Sequence, residues 1–181
     1  YINGSEVPDG SELWCDVNAY VLQKWAQDPT RTDKELVLEY AREALGMNDT
    51  DAENFYNLCI LSARAVLLGR GTNQAPTIDM LWTRDDNVDA NRFKNVVNVM
   101  YSGKDGDSYP KLEERRKSVK LWEDMLAIVE GFDDGVEMKN YMHVTTQYGY
   151  YLFSIFERMF TIGVLYRESL AGQDTGDAMR E

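Results

Sequence analysis

Few side chains in this sequence have the type and spacing that reactive chemistry needs. His143 is the one histidine in 181 residues, so a Ser–His or Cys–His couple has a single imidazole to draw on. It falls among apolar and aromatic neighbours in a helical stretch and reads as a structural histidine. Cys15 and Cys59 also lie in apolar helical contexts and read as small buried side chains. With no Cys or His cluster, the ligand spacing of zinc, haem or iron–sulfur sites is missing, and neither a metal nor a cofactor is expected. Acid pairs occur at Asp85-Asp86 and Asp133-Asp134. Hydrolysis between sugars requires two carboxylates about 5–10 Å apart across one bond, and no such convergence is legible. Asp133-Asp134 reads as the favoured negative start of a helix. Asp85-Asp86, beside Trp82 and Arg84 in the long linker, is a candidate contact pair. Asp105-Gly106-Asp107 resembles the opening of a calcium loop, but the twelfth position is Arg116 where the closing Glu belongs. Gly69-Arg70-Gly71 lacks the lysine of a phosphate loop. Asn3-Gly4-Ser5 and Asn48-Asp49-Thr50 fit the short glycosylation pattern. Tyr148, Tyr150 and Tyr151 cannot all point inward from one helix, so some of them must reach a surface or a partner.

Composition narrows the classes further. The net charge is -12, which repels nucleic-acid backbones and anionic membrane surfaces alike. No apolar run approaches the ~20 residues needed to cross a bilayer, so no membrane insertion is expected. Hydrophobic residues at 44% and aromatics at 12% are ample for a packed core.

The elements that carry these residues are helical throughout. A first helix is predicted over about 11–27, with Leu13, Val17, Val21 and Trp25 on one face and Asp28-Pro29 as its stop. A second begins at a Thr32/Glu35 capping box, buries Leu36, Tyr40 and Ala44, and ends at Gly46. A third starts at a Thr50/Glu53 box and runs to about residue 68. It is apolar on two sides, with Phe55, Leu58, Cys59, Ser62 and Val66 on one and Ile60, Ala63 and Leu67 on the other, as in a central bundle helix. Residues 72–88 read as a long irregular linker, and 89–101 as a fourth helix. Pro110 opens a fifth, burying Leu112, Val119, Trp122, Met125 and Val129, with Glu113 paired to Lys117 outside. The sixth is expected from about Asp134 to Leu170, the longest and most aromatic. The fold class is therefore all-α: an antiparallel bundle of about six helices with a long C-terminal helix, spanning 11–171 between an entry arm (1–10) and a polar tail (172–181).

One segment carries a resemblance. Residues 12–29, with Trp14, Asp16, Asn18, Tyr20 and the Trp25-Ala26-Gln27-Asp28-Pro29 break, lead into the capped helix at Thr32 and the closing Leu45-Gly46. Over roughly residues 1–70 this resembles the start of the helical C-terminal domain of α-glucuronidases and related (β/α)8-barrel glycoside hydrolases. The resemblance implies a segment that follows a catalytic barrel, buttresses it and joins homodimer contacts. The barrel would hold the catalytic carboxylates, leaving none in this chain, and carbohydrate would be met through that neighbouring domain. It further implies that Asn3, Glu6, Asp9, Trp14 and Asp16 approach the sugar. Apart from the resemblance, Trp82, Asp85, Asp86, Tyr148 and Tyr151 are candidates for surface or partner contacts. The rival readings are a free-standing helical binding or scaffold module of the cell envelope, and a bundle with a tyrosine-lined ligand pocket.

Overall fold

The computed structural model describes residues 13–70 and 109–170, and within them every regular element is an α-helix. There are five: α1 (Leu13–Gln27), α2 (Asp33–Glu43), α3 (Asp49–Arg70), α4 (Tyr109–Glu130) and α5 (Lys139–Leu170). The helix expected over 89–101 and the linker before it lie outside the described residues, as do Asn3, Glu6, Asp9, Trp82, Asp85 and Asp86. The chain divides into two compact units, Tyr1–Ile60 with Ala127–Val144, and Leu61–Leu126 with Thr145–Glu181.

In the first unit, α1 buries Leu13, Val17 and Val21 at successive turns. Trp25, expected on that stripe, is 38% exposed, and its indole N–H donates to the Arg31 carbonyl at 2.8 Å. The ring thus braces the turn after α1 instead of filling the core. That turn is set by Asp28, whose carboxylate accepts from the Thr30 backbone N–H at 3.0 Å and from its hydroxyl at 2.6 Å. Thr30 holds the Asp28 carboxyl below its ordinary range through those two bonds.

The Thr32/Glu35 capping box forms with both of its reciprocal bonds. Gly46 closes α2 at φ +65, a conformation that costs glycine least, and the Met47 N–H donates back to the Ala41 carbonyl at 3.0 Å. The buried stripe of α2 is Leu36, Val37, Tyr40 and Ala41; Ala44, expected inside, is exposed. Ala44 is the C-cap residue, at the end of the helix.

α3 begins two residues earlier than the expected Thr50/Glu53 box. Asn48 caps it instead, its side-chain oxygen accepting from the Asp51 N–H at 2.9 Å while its carbonyl accepts from the Ala52 N–H at 2.9 Å. Within the first unit α3 buries Ala52, Phe55 and Leu58, leaving Ile60 49% exposed.

The stretch expected to open the last helix at Asp134 is a compact turn, and α5 starts at Lys139. Met138, at φ 60, blocks helical continuation there. Phe132 and Val136 from this turn are buried.

In the second unit aromatic rings lie against helix backbone. Gly69 and Gly149 are both buried, because neighbouring rings come too close for any side chain. A Cβ on Gly149 would lie 2.3 Å from the Trp122 ring, and one on Gly69 would lie 2.1 Å from Phe153. Trp122 stacks on Phe153 at 5.4 Å, and Phe153 meets Phe156 edge-on at 5.6 Å. Phe160 and Val164 extend the buried face of α5. The expected second apolar side of α3 faces outward here, with Leu67 70% exposed and Ala63 also exposed.

Candidate functional site

The motif segment builds a defined patch on the first unit. Trp14 is half-buried and stacks parallel to Phe55, with centroids 6.2 Å apart. Asp16, two residues on, is exposed. Burial first, and then the Asp16 charge, raise the Tyr40 hydroxyl above its ordinary value. Tyr20 packs edge-on against Tyr40 at 5.3 Å and donates to Glu39 at 2.5 Å. Glu39 also accepts from Lys24 at 2.8 Å and Arg31 at 2.5 Å. Those three donors, Arg31 foremost, hold its carboxyl down at about 2. Trp14 and Asp16 thus lie on the same helix as Tyr20 and Lys24, which tie α1 to α2. This is scaffold geometry: it fixes one exposed carboxylate and one half-covered indole on a rigid helix.

The acid pair 133–134 separates into two roles. The Asp51 carboxylate, almost fully buried, accepts from the Asp133 N–H at 3.2 Å and from the Asn48 amide at 3.1 Å. The same amide donates to Asp133 at 2.9 Å. Asp133 therefore ties the turn after α4 to the start of α3, and is not a helix cap. The amide nitrogen of the Asn48 glycosylation pattern is already committed to two carboxylates. Asp134 pairs with Lys139 at 2.9 Å, and the Lys139 ammonium also donates to the Phe132 carbonyl. Lys139 lowers the Asp134 carboxyl.

Beside this turn lies an open groove lined by Glu130, Asp134, Val136, Met138, Lys139, Asn140 and His143. His143 is at its rim, 37% exposed and 3.9 Å from Glu130. Of its immediate neighbours on α5, Met142 is buried and Val144 is 54% exposed. Cys15, expected buried, is exposed; Cys59 is half-buried, and burial pushes its thiol up to about 12.

A feature that periodicity did not flag lies in the second unit. Lys111, Arg115 and Ser118 repeat at helical spacing on α4, and all three are buried. The Arg115 guanidinium donates to the Leu68 carbonyl at 2.7 Å and lies over the Phe160 ring at 4.4 Å. The Ser118 hydroxyl donates to the Ala65 carbonyl at 2.7 Å. Both bonds go to carbonyls in the last turns of α3, where cations and donors are favoured. Burial depresses the Arg115 pKa to about 10 and lowers Lys111 as well. The sequence signal was available: basic and hydroxyl residues at i, i+4 and i+7 on the same stripe as Leu112, Trp122 and Met125. Glu113 pairs with Arg116 at 2.7 Å, a turn position short of the expected Lys117.

Of the tyrosines, Tyr148 and Tyr151 are exposed and Tyr150 is half-buried. Among the described residues no three His, Cys, Asp or Glu side chains are grouped to hold a metal, and no helix is long and apolar enough to cross a membrane. Neither a family model nor any curated protein or solved structure matches the chain.

Proposed function

We propose that this chain is the accessory helical domain of a carbohydrate-active glycoside hydrolase. It forms an antiparallel bundle of about six helices that buttresses a catalytic (β/α)8 barrel preceding it. Hydrolysis belongs to the barrel, and carbohydrate is met through it. The observation that carries this reading is how the quoted pattern is used. Trp14, Tyr20, Trp25, Asp28, Thr32 and Gly46 each hold a specific stacking, bridging or capping position within one compact unit. Such a unit gives a barrel a stiff shelf, with Asp16 exposed on it. Asn3, Glu6 and Asp9, together with Trp14 and Asp16, are the residues nearest the sugar in this reading.

The parent gene tests it directly. Upstream of Tyr1, the reading frame is expected to continue into repeated strand–helix units; a start codon close to Tyr1 would overturn the proposal. At the protein level, the parent enzyme should hydrolyse aryl glycosides while the 181-residue chain alone does not.

A further inference from the structure

The helix α5 has two apolar faces. Gly149, Phe153, Phe156, Phe160 and Val164 are buried in the second unit. On its outer side Tyr148, Tyr151, Ile155, Ile162 and Tyr166 are 51%, 57%, 45%, 50% and 49% exposed, and Arg158 is 73% exposed. From Tyr148 through Tyr151, Ile155 and Arg158 to Ile162 the steps are three, four, three and four residues. That is the a/d alternation by which one helix seats against another. A single helix presents a convex ridge, so the shape suits another helix better than a small ligand.

We propose that this face is a self-association surface, on which two copies pair antiparallel through Tyr148, Tyr151, Ile155 and Arg158. In antiparallel pairs, a positions pack against d positions of the partner. A two-fold axis passing beside position 153 does this at every one of the four residues: Tyr151 meets Ile155 of the partner subunit, and Tyr148 meets Arg158 of the partner subunit. The second match sets a guanidinium over a tyrosine face, an attractive cation–π arrangement. The parallel alternative would oppose Arg158 to its own copy at the middle of the seam. Antiparallel, the two guanidinium positions are ten residues apart along the axis, about 15 Å, beyond the ~8 Å over which exposed charges interact at physiological salt. The chain as a whole carries -12, and Arg158, which lies 3.7 Å from the Glu157 carboxylate, is the one formal charge among the seam residues. The exposed parts of Tyr148, Tyr151, Ile155 and Arg158 offer about 450 Å² per copy, taking a large side chain at ~200 Å². The pair then reaches about 900 Å², just under the ~1,000 Å² of stable specific interfaces, which makes the association a weak one. This inference stands on the helix face and does not rest on the resemblance to barrel hydrolases.

Sedimentation velocity on the 181-residue chain from low to several-hundred-micromolar concentration reads the association. A monomer–dimer equilibrium is expected, and Tyr151→Glu with Ile155→Glu should leave a monomer throughout, with helical circular dichroism unchanged. Ile155→Glu alone should weaken the dimer at least tenfold and serves if the double variant loses helicity. In a Cys15→Ser background, mixed Tyr148→Cys and Arg158→Cys chains should cross-link with each other, but neither with itself. A wild-type chain that stays monomeric, or a dimer untouched by the Ile155 and Tyr151 changes, overturns the proposal. Cross-linking of Tyr148→Cys to itself overturns the antiparallel register.

Discussion

The two units of this chain are held by different kinds of contact. The first is a set of short helices tied at their ends. Asn48, Thr32, Asp28 and Gly46 cap or turn them, and Glu39, Asp51 and Asp133 bridge one element to the next. The second relies on ring-to-backbone proximity, with Trp122 and Phe153 laid against two glycines and Arg115 and Ser118 bonded to helix carbonyls. Polar ties are individually worth about 1 kcal/mol and can be cut one at a time. Close packing fails at once when an atom is added, because neighbouring rings have nowhere to go. The difference suggests that the first unit tolerates substitution by degrees, whereas the second has a few positions that tolerate none.

Breaking the second unit should give the largest effect. Gly149→Ala and Gly69→Ala each insert a methyl group well inside contact distance of an aromatic ring. Each should destabilise by about 3 kcal/mol or more, measured by urea unfolding. If both cost less than the ~1 kcal/mol of a helix cap, the comparison collapses.

Next comes the busiest polar tie of the first unit. Asn48→Ala removes an N-cap bond and two bonds to the Asp51 and Asp133 carboxylates. The expected loss is about 2 kcal/mol, since Asp51 is left buried with one donor fewer. Thr32→Ala opens the α2 capping box and should cost about 1 kcal/mol by the same measurement.

The smallest effect is electrostatic. The Glu39 carboxyl titrates at about 2 in the folded protein, against 4.5 for the unperturbed group. A depressed folded pKa adds stability that is complete above 4.5 and is lost as pH falls toward 2. Thermal melts from pH 6 to pH 2 should therefore show a drop in Tm over that window that is smaller in Glu39→Gln than in the wild type. Thiol labelling at pH 8 adds a check that needs no mutation: Cys15 should react with a disulfide reagent while Cys59, pushed up to about 12 by burial, lags far behind.

Most of the helix inventory was legible because helix signals are local. The capping box at Thr32, the stop at Asp28-Pro29 and the glycine at 46 are one-turn patterns, and each appears where the pattern places it. The misreadings share one cause. Thr50 and Asn48 are both good caps two residues apart, and the choice fell to Asn48, whose amide also bridges Asp51 and Asp133, the latter 85 positions away. Asp133-Asp134 resembles a helix start in sequence, but Asp51 captures the Asp133 N–H and Met138 turns the chain before α5 can begin. The same limit applies to the candidate site residues. Trp14 and Asp16 were singled out through the resemblance, which gave no sign of the Phe55 ring that Trp14 stacks on.

By itself, then, the sequence determined that this protein is helical, where most of the described helices start and stop, and that Tyr148, Tyr150 and Tyr151 could not all be buried. Helical spacing and end-capping act within a turn, so residue order suffices for them. Only the tertiary structure decided which of two apolar faces on α3 and α5 would be covered, that Lys111, Arg115 and Ser118 would lie inside, and that Gly69 and Gly149 would be contact points. Those outcomes depend on which distant side chain arrives opposite each position, and burial is settled only when it does.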